Sequence, residues 1–371
     1  MAKIWFFKFP LVNTLGGAEF HTLKLAQALV SAGHKTKLVS SDLKLLELFS
    51  KNNLPHQYLF AGWEPTSRGA LLLWPLSFLI AKLKFKKLFR EIPPGSVLFM
   101  QSLIEKFVFT PLAQKVRKVI WLEHKIPGRW LKLNPLLGKY LNLAKQVQLV
   151  TVSNFAKQEF VKLGVPEGHV QVIYPGVKTL PFFPSLTKEG GGGDSFTIGI
   201  LSRLDPEKGV SDFLDIILPH LLNHPDWKIL IAGDGKDKEK IEKLTTGNPQ
   251  IRLLGFVKNL DEFFPQISVL VYPTKVPESF GISALEAQSR GIPVIASFQG
   301  ALPEIIEHRK SGFLVKTHNP QEWLGYLELT QRPDSYQQLR TNAISQAKKF
   351  SPQKMLRDFE QLFSNTYKPP A

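Results

Sequence analysis

Two pairs of charged side chains are spaced for work on a ligand that is both anionic and rich in hydroxyls. Arg203 and Lys208 stand five residues apart in Ser202-Arg203-Leu204-Asp205-Pro206-Glu207-Lys208-Gly209, a turn that leads into a helical pattern. Two cations beside a helix mouth suit a pyrophosphate leaving group, where negative charge develops as the bond to it breaks. Unrelated α/β turns carry such cations too, so this pair does not decide the chemistry alone. Glu278 and Glu286 stand eight residues apart, Glu278 in a loop and Glu286 one to two turns into a helix otherwise built of Ile, Ala and Leu. Carboxylates accept paired hydrogen bonds from vicinal hydroxyls, so two at this spacing can grip two hydroxyl-bearing rings across a diphosphate. A nucleotide sugar has that form.

These side chains need strand ends and helix starts to hold them. Val269 to Tyr272 is a short apolar strand stopped by Pro273, and the loop Pro277-Glu278-Ser279-Phe280-Gly281 leads into a helix from Ile282 to Gln288. Arg290-Gly291 closes that helix with a cation and a C-cap glycine, and Pro293 opens another strand. Upstream, the strand Phe196 to Leu201 precedes the cationic turn and a helix to Leu222. Further strands run from Trp227 to Ala232, ahead of the commonplace Gly233-Asp234-Gly235, and from Ile251 to Gly255. Val257, just beyond, offers backbone contacts to a base.

The first half has the same grammar. Ile4 to Phe9 is a strand, Gly16-Gly17 turns into a helix with Phe20, Leu23, Leu25, Leu29 and Val30 on its apolar face, and Thr36 to Ser40 is the next strand. In this βαβ unit the glycine pair lets backbone approach a phosphate, although a tight turn is the plainer account. Glu19 and His21 read as helix-surface residues. Val97 to Gln101 and Val119 to Glu123 are strands, which puts His124 at a strand's carboxyl edge, where α/β folds bind ligands. Gly128 to Ala144, with Trp130 and Tyr140, is either an acceptor-side element or a core helix. Lys178 to Ser195, with two prolines and four consecutive glycines, reads as a linker.

The 371 residues suit two domains, with 43% hydrophobic and 11% aromatic content typical of globular chains. Without cysteine there are neither disulfides nor thiolate metal sites. Met1-Ala2-Lys3 leads straight into a strand with no secretory signal, and the longest apolar run, Ala70 to Ala81, is too short to span a bilayer. Charge is lopsided: residues 1–175 hold 24 Lys and Arg against 9 Asp and Glu, and residues 176–371 hold 23 against 22. A field confined to one half implies a polyanionic partner, with simple solubility as the plainer alternative. After Pro75, Phe78, Leu79, Leu83, Phe85, Leu88 and Phe89 alternate in blocks with Lys82, Lys84, Lys86, Lys87 and Arg90. Such a basic amphipathic helix fits an anionic membrane surface, and equally a helix packed on a sheet with its lysines in water. No helix-turn-helix, zinc finger or RNA-recognition signature points to nucleic acid. A P-loop, a dinucleotide fingerprint and a D-x-D metal motif are likewise missing.

The E-x7-E element with Phe280-Gly281 between its glutamates, the R-x4-K pair and the Gly16-Gly17-Ala18-Glu19 string together resemble retaining glycosyltransferases of family 4. The resemblance is strong over 196–318 and looser over 1–177. It implies an α/β GT-B fold, with two doubly wound Rossmann-like parallel-sheet domains facing across a cleft. The expected domains are 1–177 on the acceptor side, a linker at 178–195, 196–345 for the nucleotide sugar, and a helical tail at 346–371 packing back on the first domain. In that family Glu278 and the following Ser279, Phe280 and Gly281 backbone hold the donor sugar, and Glu286 holds the ribose. The resemblance makes Arg203 and Lys208 the diphosphate cations, brings Gly16 and Gly17 to the donor and puts His124 near the sugar. The family often has glycine where this chain has Ser279, which alters the fit around the sugar.

The expected activity is retaining transfer from a UDP- or GDP-sugar to a glycan or lipid-linked acceptor. It would work at the cytoplasmic membrane face without a cofactor or metal. Catalysis would rest on Glu278, His124, Arg203 and Lys208. A sugar phosphorylase of the same fold and a non-catalytic glycan-binding scaffold are the alternatives.

Overall fold

A computed structural model of the chain describes residues 1–9, 15–111, 116–179, 195–316 and 319–364. Most of the expected linker lies outside these residues, as does the segment 10–14 ahead of the Gly16-Gly17 turn. The chain divides into two units, one comprising residues 1–176 with 352–371 and the other residues 177–351.

The first unit is a seven-stranded parallel sheet: β1 (Lys3–Lys8), β2 (Lys35–Ser40), β3 (His56–Tyr58), β4 (Val97–Met100), β5 (Lys118–Glu123), β6 (Gln148–Thr151) and β7 (Val170–Val172). Its order is β3-β2-β1-β4-β5-β6-β7. Successive side chains of a strand point to opposite faces. Trp5, Phe7, Leu98, Met100 and Trp121 therefore fill one apolar layer, and Ile4, Phe6, Val97, Phe99 and Ile120 the other. Both layers are covered by helices, so the strands read as unbroken apolar runs instead of alternating ones. Helix Trp74–Phe89 buries Ala81, Phe85 and Leu88 on the first layer, with Pro75 in its first turn, where no N–H partner is lost. Helices Gly17–Ser31, Leu43–Lys51 and Pro352–Ser364 cover the second.

Pro352–Ser364 comes from the far end of the sequence. Its Phe359 and Phe363 meet the Phe99 ring edge-on at 5.5 and 6.0 Å, and Lys118 Nζ donates to the Leu362 carbonyl at 2.5 Å.

The second unit is a six-stranded parallel sheet: β8 (Phe196–Leu201), β9 (Trp227–Ala232), β10 (Ile251–Gly255), β11 (Val269–Tyr272), β12 (Val294–Ser297) and β13 (Gly312–Val315), in the order β10-β9-β8-β11-β12-β13. It runs on to Ser351 and does not end at 345, because helix Pro333–Lys348 continues against helix Ile282–Gln288.

Two local expectations change. The helix expected from Gly209 to Leu222 is broken into Val210–Ile217 and a 3-10 stretch, Leu218–Asn223, where Pro219 cannot donate to the α ladder. In helix Gly17–Ser31 the inward residues are His21, Thr22, Leu23, Leu25, Ala26 and Leu29, and Val30 is exposed. His21 is therefore core, 2% exposed, and not a surface residue.

Candidate functional site

In the second unit the order reverses between β8 and β11, the place in an open α/β sheet where strand ends leave a crevice for ligands. From β8 the chain passes through the 3-10 turn Pro206–Lys208 to Gly209 at φ +65°. A side chain there would put Cβ 2.1 Å from the Pro273 carbonyl oxygen, so glycine lets the β8 turn lie against the β11 turn. The Lys275 N–H donates to the Glu207 carbonyl at 2.9 Å and ties the two together.

That contact makes the central pair. Lys208 Nζ is salt-bridged to Glu278 Oε1, with both side chains largely buried. The Tyr272 phenol, at the end of β11, hydrogen-bonds the same carboxylate. Burial first, then the Glu278 charge and hydrogen bond, raise the Tyr272 pKa well above 10.0. Gly300, at φ +58°, lets its own segment close on the Glu278 backbone, where a Cβ would fall 2.2 Å from the Glu278 carbonyl oxygen. The Ala301 N–H donates to that oxygen at 2.9 Å. Glu278 is thus fixed at side chain and backbone before any ligand arrives.

The other expected residues are placed less tightly. Arg203 is exposed and forks between Asp205 and Glu207, the latter at 3.0 Å, so it is not joined to the Lys208–Glu278 pair. Glu286 lies buried in helix Ile282–Gln288, its carbonyl accepting from Ser289 Oγ at 2.8 Å and Arg290 Nη1 at 3.0 Å. Gly281 precedes that helix at φ +101°, and Ser279 is half-buried. The Phe280 ring turns into the core against Phe350 at 5.8 Å, so Phe280 presents backbone and not its side chain to the loop. Val257 is half-buried beyond β10.

Gly16, Gly17 and His124 belong to the first unit. Its order reverses between β1 and β4, and a second polar cluster gathers at the carboxyl ends of β1, β4 and β5. Gly16 is extended at φ −155° and donates its N–H to Glu19 Oε2 at 2.9 Å, while Glu19 Oε1 pairs with Lys8 Nζ at 2.6 Å. Glu19 is therefore not the free surface residue expected. His124 follows β5, and its Nε2 lies 2.8 Å from His21 Nδ1. Burial drives the His21 pKa down to about 3, with Lys24 and Lys8 adding to it. Burial, then His21 and three lysines, depress His124 as well. Both rings are neutral near pH 7 and share one proton across the contact. An orphaned buried N–H is costlier than an orphaned acceptor, and His21 Nε2 is buried with no hydrogen-bond partner. The favoured tautomer then has His21 Nδ1–H donating to His124 Nε2, which leaves the His124 proton on Nδ1.

Beneath the pair, Glu123 Oε1 accepts from Lys106 Nζ at 2.6 Å and from the Tyr140 hydroxyl at 2.7 Å. Within Gly128 to Ala144, read as an acceptor-side element or a core helix, Tyr140 is wholly buried in this role, as the core alternative has it. Glu64 and Glu105 serve one helix start, Glu64 Oε1 accepting from the Leu103 N–H at 2.7 Å and Glu105 Oε1 from the Gln101 N–H at 2.9 Å. Burial lifts their pKa values to about 7 and about 8, with the Glu64 charge adding to the Glu105 shift.

Sequence reasoning missed Lys8, Glu19 and His21 in the first unit and Tyr272 and Gly300 in the second. Tyr272 ends a strand buried on both faces, so no alternation marked its hydroxyl as different from a core ring. Among the described residues no group of three His, Asp or Glu is gathered to hold a metal, and no helix is long and apolar enough to cross a membrane.

Comparisons with known proteins bear on both units. Residues 15–179 match the family model described as Glycosyltransferase Family 4, and residues 195–328 match Glycosyl transferases group 1. An uncharacterized glycosyltransferase of Methanocaldococcus jannaschii is 29% identical over 329 residues, covering 82% of this chain and 83% of its own. A human (Homo sapiens) phosphatidylinositol N-acetylglucosaminyltransferase component is 24% identical, covering 79% of this chain and 61% of its own. Anabaena HepE, solved in complex with UDP and glucose, superposes with a TM-score of 0.79 at 20% identity, over 98% of this chain and 100% of that one. With its two Rossmann-like parallel sheets, the chain has the GT-B fold, and both of its halves match glycosyltransferase models, the first half that of family 4.

Proposed function

We propose that this glycosyltransferase moves a sugar, with retention of configuration, from a nucleotide-diphosphate sugar to a glycan or lipid-linked acceptor at the cytoplasmic face of a membrane. The observation that carries the reading is the Lys208–Glu278 pair at the strand reversal of the second sheet. It sets a cation for a diphosphate directly beside a carboxylate for sugar hydroxyls. The HepE complexes with UDP and with UDP-glucose support a UDP-sugar, with GDP as the other base to test. The relative named for phosphatidylinositol supports a lipid-linked acceptor.

In this reading Lys208 and Arg203 stabilise the diphosphate as the bond from its oxygen to the sugar C1 breaks. The acceptor hydroxyl forms its bond to C1 from the same face, and its proton passes to the departing diphosphate oxygen. Glu278 orients the sugar, Ser279, Phe280 and Gly281 offer backbone, and Glu286 takes the ribose hydroxyls. Val257 meets the base. Gly16 and Gly17 approach the donor through backbone, and His124, held by His21, donates from Nδ1 to a sugar hydroxyl. No metal or cofactor enters any of these steps.

Calorimetric titration with UDP, GDP, ADP and inorganic phosphate, run beside Glu286→Ala, tests the reading. Tight binding of one nucleoside diphosphate, weakened in the variant, is expected. Binding of phosphate alone would point to a phosphorylase, and donor binding without turnover to a scaffold.

A further inference from the structure

Helix Trp74–Phe89 is apolar on two opposite faces, and the sheet explains only one of them. At 100° per residue, Ser77, Ala81, Phe85 and Leu88 form the inward stripe, and all four are buried. Leu76, Leu79 and Leu83 fall on the opposite side at the i, i+3, i+7 spacing of one helical face. They are 51%, 54% and 63% exposed, and Leu72, just ahead of the helix, is 84% exposed. Leu79 and Leu83, counted in sequence among the apolar positions with Phe85 and Leu88, thus lie on a different face from them. A contiguous outward row of leucines stabilises nothing within this unit.

The charge around the row identifies what would cover it. From Pro65 to Arg90 there are six Lys or Arg and no Asp or Glu. Lys86, Lys87 and Arg90 continue the leucine face into the last turn, and Lys82 and Lys84 flank it, all exposed. A protein partner for a leucine row would need to bring many carboxylates of its own. An anionic bilayer interface supplies both a hydrocarbon boundary for the leucines and phosphates for the cations. We propose that this outward face docks the enzyme on anionic lipid, with Leu76, Leu79 and Leu83 inserted at the acyl boundary and Lys86, Lys87 and Arg90 at the head groups. The proposal deepens the lipid-linked acceptor reading and takes its purpose from it, but its geometry is independent of the donor site.

Vesicle sedimentation of the full chain tests it, with phosphatidylcholine alone and with equal parts phosphatidylcholine and phosphatidylglycerol. The native chain is expected to sediment with the anionic vesicles. The exposed-face variant Leu76→Ser/Leu79→Ser/Leu83→Ser should lose at least tenfold in partitioning at fixed salt. Lys86→Gln/Lys87→Gln/Arg90→Gln should lose the anionic preference. Since these side chains lie outside the core, UDP affinity and the melting temperature should stay as in the native chain. Failure of the native chain to sediment, or unchanged partitioning of the leucine variant, would overturn the docking face. Loss of UDP binding by the native chain would instead strike the transferase reading and leave the vesicle result standing.

Discussion

The two strand reversals of this molecule use charged residues in opposite ways. At the β1–β4 reversal burial has neutralised part of the site, with two uncharged histidines in contact and the Glu64 and Glu105 carboxyls lifted toward neutral pH, beside the ion pairs Lys8–Glu19 and Lys106–Glu123. At the β8–β11 reversal the charges persist as pairs, Lys208 with Glu278 and Arg203 with Asp205 and Glu207. The same topology thus yields one site that sets neutral imidazoles beside paired charge and another in which Lys208, Glu278 and Arg203 all stay ion-paired. Pairing makes the difference, since Lys106 and Glu123 are as deeply buried as Lys208 and Glu278 and stay ion-paired too. Desolvation removes charge from a group without a strong partner, and an ion pair held by fixed backbone keeps it. A neutral imidazole suits hydroxyls, and a paired ammonium suits a diphosphate that can take over the partner's place.

Substitutions can break this contrast. The largest effect is expected from Glu123→Ala, which strands the buried Lys106 ammonium and should cost about 3–5 kcal/mol of stability by chemical denaturation. An unchanged unfolding midpoint would mean that the pair is solvated. Next, Lys208→Ala is expected to lower turnover by about 10²–10³-fold, and Glu278→Gln to do the same while keeping UDP affinity. Lost UDP binding in Glu278→Gln would place that carboxylate on the nucleotide.

A pH series separates two buried groups of the first unit more gently. The Glu105 carboxyl is raised from 4.5 to about 8, so its contribution is fully present below pH 4.5 and is lost as pH rises through 8. His21 is depressed from 6.5 to about 3, so its contribution is present above pH 6.5 and is lost as pH falls toward 3. Glu105→Gln should therefore flatten the fall in stability between pH 4.5 and 8 and leave the acid limb as it is. A variant that melts with the same slope over that range would assign the slope elsewhere. The smallest effect is expected from Tyr272→Phe, which removes one hydrogen bond from Glu278 and should lower turnover about 3- to 10-fold. An equal fall in UDP affinity would show a general loosening of the loop instead.

The unexplained leucine row on helix Trp74–Phe89 belongs to the more basic half, where sequence reading found the amphipathic pattern but did not divide its apolar residues between faces. The reason is that β-sheet packing needs only one narrow stripe of that helix, filled by Ser77, Ala81, Phe85 and Leu88. Composition alone does not say which apolar residues the sheet takes.

Local sequence determined the succession of strands and helices, because each strand is a short apolar run bounded by Gly, Pro or a cap. Ser153, for example, caps the Ala156 N–H at 3.0 Å, and Gly164 ends that helix in the left-handed region. The R-x4-K and E-x7-E spacings also lay in the sequence, since each pair sits on one strand–loop–helix segment. Contacts between segments far apart in the chain did not. Gly300 beneath the Glu278 carbonyl, Lys208 across 70 residues on Glu278, and His21 across 103 residues on His124 all arise where neighbouring strand ends converge. Strand order decides those meetings, and strand order is set by how two faces of each sheet are covered, a property of the packed whole that no single stretch encodes.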